Sequence, residues 1–222
     1  MQRIPEPELM DTAEQAQAYA AADFEDANTR FMDELAQLLA GAPVVGPVLD
    51  LGCGPADICV RLAQEHPGAD IHALDGSEAM LACARERLNR EPALRGRIRL
   101  LHECLPVRML PSPHYDLVMS NSLLHHLHAP EVLWDTVRRF GRSGTRVLVM
   151  DLRRPASREA AGDIVDRYSA GEPEVLRSDF YNSLLAAFTV EEVAAQLASA
   201  GLATLTVREA SDRHLLVSGR LP

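Results

Sequence analysis

A chain of 222 residues with 47% apolar and 24% charged residues is long enough for one well-buried core and short for two. No apolar run reaches the ~18–20 residues of a membrane span, and Met1–Gln15 carries prolines and acids where a signal peptide has a basic start and an apolar stretch, so the cytoplasm is the expected compartment. The formal charge of −10 disfavours nucleic acid as a partner and leaves a small molecule as the expected one; the oligomeric state is left open.

In chain order, residues 11–40 place Phe24, Phe31, Leu35, Leu38 and Leu39 at helical spacing, which predicts one or two amphipathic helices ending near Gly41 and Pro43. Residues 44–52 read as a short buried strand running into glycines, and 56–66 as a helix stopped by Pro67-Gly68. Strand 69–75 and helix 77–90 follow, with Ser77 placed to cap the helix. Residues 97–103 and 115–121 read as strands, and Pro130 opens a helix that closes at Gly141. Strand 145–152 leads to a helix at about 157–169 and then an irregular stretch over 171–183. Thr189 and Glu192 have capping-box spacing, opening a helix that ends at Gly201. Residues 202–209 and 213–220 read as two strands joined by a turn at Ala210–Asp212.

Alternating strands and helices closed by a hairpin predict a Rossmann-like, doubly wound α/β fold. Its seven-stranded sheet would be mostly parallel with one antiparallel edge strand. Ligands of such sheets bind beyond the carboxyl ends of the strands.

Two chemistries are closed to the chain at the outset. All 22 basic residues are arginine, so neither Schiff-base catalysis nor a P-loop lysine is available. Cys53, Cys59, Cys83 and Cys104 form no Cys-x-x-Cys pair, so they read as free thiols rather than as a disulfide framework or zinc site.

Asp50-Leu51-Gly52-Cys53-Gly54-Pro55-Ala56-Asp57 follows the first parallel strand and opens a helix. Its glycines permit a tight turn and close approach of a ligand to the backbone. Asp75 ends the next strand about twenty residues on, where a carboxylate can accept ribose hydroxyls. A dinucleotide fingerprint would place a third glycine near position 57; Asp57 stands there instead, an anion facing where a phosphate would pack. The expected ligand carries ribose but no phosphate, which opposes a nicotinamide-dependent oxidoreductase.

VLDLGCGPAD, ALDGSEAML, YDLVMSNSLLHHL and VLVMDL, in that order, resemble class I S-adenosylmethionine-dependent methyltransferases over about residues 44–152, and the terminal hairpin agrees by topology. The resemblance implies one methyltransferase domain over 1–222, with an N-terminal helical lid (1–43), a cofactor-binding core (44–152), and a substrate-side insert and terminal hairpin (153–222). It implies S-adenosyl-L-methionine as cofactor and methyl transfer to a small molecule. Asp50, Gly52 and Gly54 would line its amino-acid and ribose portion. Asp75 would hold the ribose hydroxyls, with Gly76, Ser77 and Met80 beside the adenosine. Glu103, Cys104 and Leu105 match the family's adenine-contacting Gly-Asp-Ala, although Glu103 replaces Asp and His102 replaces Gly. Asn121, with Ser122, would face the methionine part.

Substrate determinants are expected outside this shared core: Tyr19, Phe24, Asn28 and Arg30 on a lid, Asp151, Arg153 and Arg154 after the fifth strand, and Tyr181 in 177–184. Arginine's planar fork would suit an anionic acceptor, although adjacent residues of an extended chain point to opposite sides. His125 or His126 is a candidate general base for a hydroxyl or thiol acceptor, since imidazole titrates near neutrality. The spacing of His114, His125, His126 and His128 is irregular and few acids lie nearby in sequence, so no metal is expected. Two alternatives stand. The tail FYNSLLAAFTVEEVAAQLASAGL loosely resembles that of the carboxy-S-adenosylmethionine synthase that serves tRNA modification, and a non-catalytic cofactor-binding protein would share the same loop.

Overall fold

The computed structural model describes residues 1–222. The strands are β1 (Val45–Leu51), β2 (Gly68–Asp75), β3 (Ile98–His102), β4 (Leu117–Asn121), β5 (Arg146–Leu152), β6 (Thr206–Glu209) and β7 (His214–Arg220). They form one sheet in the order β3-β2-β1-β4-β5-β7-β6. β7 runs antiparallel to both neighbours and forms the edge pair with β6, while the remaining contacts are parallel. The predicted α/β architecture is the observed one.

The helices are α1 (Ala13–Ala21), α2 (Glu25–Leu39), α3 (Asp57–Glu65), α4 (Glu78–Asn89), α5 (Glu131–Phe140), α6 (Arg158–Tyr168), α7 (Glu174–Ala186) and α8 (Val190–Ser199). They cover both faces of the sheet, and the strand sequences record this as strict alternation. Val48, Ile71, Leu117, Met119 and Leu148 join Phe31, Leu35 and Leu62 on one side. Leu49, Leu74, Val118, Val147 and Val149 join Trp134, Val137 and Leu197 on the other. A third cluster, Leu152, Ala161, Val165 and Leu184, packs α6 and α7 beyond the end of β5.

Capping follows the residue types. Ser77 Oγ accepts the Met80 N–H, and Thr189 and Glu192 form a complete capping box at α8. Trp134 Nε1 donates to Gln196 Oε1 at 2.9 Å, docking α5 on α8.

One expectation is corrected. Residues 171–183 are not irregular: α7 begins at Glu174 and runs through Tyr181 and Asn182. Its buried residues include Ser183 and Ala186 beside Leu176, Leu184 and Leu185, so small residues interrupt the apolar stripe that would have announced a helix. Residues 11–40 resolve into two helices, α1 with Thr12 as cap and α2. Ahead of them, residues 1–11 run as an extended strap without helix or strand.

Candidate active site

The predicted cofactor residues gather at the carboxyl ends of β1, β2 and β4. The glycine loop after β1 is pinned to β2, with Gly52 and Cys53 N–H both donating to Leu74 O at 2.8 and 2.9 Å. Gly52 (φ +73°) sits in left-handed backbone, and a Cβ there would lie 2.9 Å from Leu123 Cβ. Gly54 (φ +51°) has open space where its Cβ would point. Beneath the loop Asp50 is buried and accepts from Cys59 Sγ at 3.0 Å. Burial raises its pKa to about 7, against the opposing thiol hydrogen bond.

Asp75 is the hinge of the cleft. Its Oδ2 accepts the Gly54 N–H at 2.7 Å and its Oδ1 the Ser77 N–H at 2.8 Å. Burial pushes its pKa up, while the two backbone donors oppose that rise. Gly76 is hemmed in, since a Cβ would meet Leu9 Cδ2 at 2.8 Å and Cys104 Sγ at 2.9 Å. Met80 is buried behind Ser77, while Glu103 and Cys104 are exposed and Leu105 half-buried. Asn121 ends β4 with its Oδ1 buried and without a hydrogen-bond partner. An unsatisfied acceptor at a strand end calls for a donor from a ligand. Asp57 opens α3 and is held by Arg87 at 2.6 Å, which keeps a carboxylate in the first turn of that helix.

The 3-10 turn Leu124–His126 follows β4 and is organised by Asp151 of β5. Asp151 Oδ2 accepts the Leu124 N–H at 2.7 Å and its Oδ1 faces His125 Nδ1 at 2.6 Å, with both side chains buried. Burial lowers the His125 pKa, but the charge and hydrogen bond of Asp151 and the charge of Glu6 outweigh it, so the net shift is upward. His126 moves the other way: burial and the neighbouring His125 depress it well below the usual imidazole range. The two rings lie 4.1 Å apart.

Glu6 and Arg3 went unread in the sequence, because an isolated acid and arginine in an extended segment carry no periodic signal. Arg3 donates to the carbonyls of Ala186, His125 and Leu127 at 2.5, 2.8 and 3.0 Å, and its guanidinium lies over the Phe188 ring. Glu6 Oε1 accepts from Ser183 Oγ at 2.9 Å and stands 3.2 Å from His126 Nδ1 and 3.6 Å from His125 Nε2. Burial raises the Glu6 pKa, while His125 and Ser183 counteract it. Farther along, Ser77 Oγ donates to Met10 O at 2.7 Å, so the strap spans from the histidine pair to the Asp75 edge.

The expected substrate side chains divide. Tyr19 is half-buried, stacks on Phe24 at 4.6 Å, and its hydroxyl pKa is raised by burial and then by Asp57 and Asp75. Asn28 is buried on α2, Arg30 donates to Ala210 O, and Tyr181 packs against the α6–α7 cluster. The expectation that Arg153 or Arg154 offers a free guanidinium to the cleft is corrected. Arg154 is buried, with 2.6 Å to Glu192 and 3.1 Å to Ala187 O. Arg153 pairs with Glu209 at 2.9 Å and donates to Asp212 O. Both guanidiniums are drawn to acids of α8 and the β6–β7 pair.

The glycine turn open at Gly54, the Asp75 carboxylate at the end of β2 and the Asp57 acid at the start of α3 lie together at one end of the sheet. Residues 48–144 match the family described as "Methyltransferase domain". Over that stretch, which holds the glycine turn, Asp75 and the His125–His126 turn, the chain is similar to S-adenosylmethionine-dependent methyltransferases. It is 33% identical over 151 residues to a trans-aconitate 2-methyltransferase of Methylobacterium nodulans, covering 65% of this chain and 54% of that protein. Over 78 residues it is 42% identical to a trans-aconitate 2-methyltransferase of Mycobacterium tuberculosis, 35% of this chain and 26% of that one. The chain thus matches about half or less of the length of these curated relatives. Among solved structures, a SAM-dependent methyltransferase from Aquifex aeolicus aligns with TM-score 0.69 at 17% identity, covering 95% of this chain and 99% of that one. The plantazolicin methyltransferase BpumL in complex with SAH aligns with TM-score 0.68 at 14% identity, covering 94% and 90%. These two share the fold.

Proposed function

We propose that this chain is a cytoplasmic enzyme that transfers the methyl group of S-adenosylmethionine to a small-molecule acceptor. The observation that carries the proposal is the Asp75 carboxylate, fixed by the Gly54 and Ser77 N–H groups at the open side of a glycine turn. Asp75 would hold the ribose hydroxyls, and Gly76, Ser77 and Met80 the neighbouring adenosine. Glu103, Cys104 and Leu105 would edge the adenine. Asp50, Gly52, Gly54 and Asn121 would take the amino-acid end, where the free Asn121 acceptor suits an ammonium group.

S-adenosylmethionine supplies, when bound, an electrophilic methyl on a sulfonium, so the protein's work is alignment in a water-poor pocket. His125 is positioned by Asp151 through Nδ1, which turns Nε2 toward the strap and makes it the candidate atom for accepting an acceptor's proton. His126, kept neutral, is the second candidate. Tyr19 and Asn28 on the lid helices and Tyr181 on α7 would border the acceptor.

An acceptor bearing carboxylates is a second reading, favoured by the trans-aconitate 2-methyltransferase relatives. Arg153 and Arg154 would not be its anchors, since Glu209 and Glu192 already hold them. Incubating the enzyme with labelled cofactor, first with trans-aconitate and then with a metabolite extract, tests both readings. Label in any small product supports methyl transfer, label in trans-aconitate supports the carboxylate acceptor, and no labelled product from either overturns the proposal.

A further inference from the structure

Few acids lie near His125 and His126 along the chain. The fold adds a third donor from far away: Glu6 Oε1 lies 3.2 Å from His126 Nδ1 and 3.6 Å from His125 Nε2. All three donor atoms lie within 4.8 Å of one another. A tetrahedral site with bonds of about 2.0–2.1 Å has donor-to-donor edges of roughly 3.3–3.4 Å, and the two contacts to Glu6 bracket that value.

Two further observations point to a cation. His126 Nδ1 is buried and has no hydrogen-bond partner, although a carboxylate oxygen faces it. With the His126 proton on Nε2, Nδ1 turns a lone pair toward a carboxylate oxygen away from water, an arrangement that a positive centre between the two relieves. The far nitrogen of the other imidazole is held by a buried carboxylate, His125 Nδ1 to Asp151 at 2.6 Å. Carboxylate–imidazole pairing of this kind orients metal-binding histidines and fixes their tautomer. Ser183 does the same for Glu6 by donating to its carboxylate.

We propose that His125 Nε2, His126 Nδ1 and Glu6 Oε1 bind one divalent transition-metal ion of the zinc class. Two imidazoles and one carboxylate suit zinc, and three protein ligands leave a coordination position for water or another oxygen donor. The ion would join the 3-10 turn after β4 to the N-terminal strap, clamping residues 1–11 across the cleft. Metal binding is independent of the cofactor reading, but a bound ion takes the His125 Nε2 and His126 Nδ1 lone pairs and so stands in place of the general-base role of these histidines.

Full-length protein stripped with chelator should bind one Zn2+ per chain by calorimetry, and Co2+ in its place should give the visible absorption bands of a low-coordinate site. Glu6→Gln and His126→Gln should each weaken Zn2+ binding by more than the roughly 10- to 100-fold that loss of an outer hydrogen-bonding partner costs. His114→Gln, at an exposed histidine outside the cluster, should bind as wild type. S-adenosylhomocysteine titration of each variant reports separately on the fold and on the cofactor reading. Glu6 lies on the strap outside the apolar core, so its variant tests the ligand without threatening folding. Absence of stoichiometric Zn2+ binding by wild type overturns the proposal, as does undiminished binding by both Glu6→Gln and His126→Gln.

Discussion

The Asp75 carboxylate accepts the Gly54 backbone N–H at 2.7 Å, joining the end of β2 to the turn that follows β1. The same carboxylate holds the Ser77 N–H at the start of α4, so one side chain sets the geometry of both walls of the cleft proposed for the cofactor. Its oxygens retain lone pairs for ribose hydroxyls.

Asp75→Ala should therefore weaken cofactor binding by about 1.5–3 kcal/mol, roughly ten- to a hundredfold. Calorimetric titration with S-adenosylhomocysteine measures this, and wild-type affinity in a folded variant would remove Asp75 from the site.

Gly54→Val acts on the same turn differently. The substituent would enter open space where a ligand must lie, and at φ +51° it also strains the backbone by about 1–2 kcal/mol. Cofactor binding should be lost while the thermal transition moves only modestly. Retained binding would show that the ligand passes elsewhere.

Asp50 makes the unliganded protein pH-sensitive. Its pKa rises from 3.8 unfolded to about 7 folded, so the folded state keeps a proton that the unfolded chain releases. Its contribution therefore turns against the fold as pH rises from about 4 to 7, reaching at most about 4 kcal/mol above that window. Asp50→Asn should be more stable than wild type at pH 8 and show a smaller difference near pH 4. Thermal denaturation of both proteins across this range checks the sign. A variant less stable than wild type at pH 8 would contradict it.

Arg154→Ala should cost stability rather than acceptor affinity. It removes the guanidinium that holds Glu192, itself the capping-box acid of α8, and leaves the Ala187 carbonyl without that donor. A loss of about 1–3 kcal/mol is expected, or roughly 2–4 °C in Tm per kcal/mol. An unchanged Tm with a raised acceptor KM would restore Arg154 as a substrate ligand.

Removing residues 1–11 deletes the strap and none of the helices or strands. The fold should survive, while turnover falls by about 100-fold or more as the cleft loses its cover and the Glu6 and Arg3 contacts. Circular dichroism and single-turnover methyl transfer separate the two effects, and full activity would make the strap a passive tether.

Local chemistry was enough to read the strands, most helices and the glycine turn with its strand-end carboxylates in the amino-acid order. Strand alternation, Gly52, Gly54 and Asp75 express constraints acting over a few neighbouring residues. Asp50 and Asp75 stand 25 positions apart in sequence, yet each is announced by the strand that ends at it. Helix α7 was missed because its buried face is partly serine and alanine, which packing accepts and periodicity does not register. The cluster around the His125–His126 turn belonged to tertiary structure. Glu6 meets His125 and His126 across about 120 residues, and Ser183 meets Glu6 across 177, with no local pattern marking either end. The same long-range pairing ties Arg153 to Glu209 and Arg154 to Glu192. A guanidinium pairs with a carboxylate that the fold brings within reach, and only the folded chain determines that Glu209 and Glu192 are those acids.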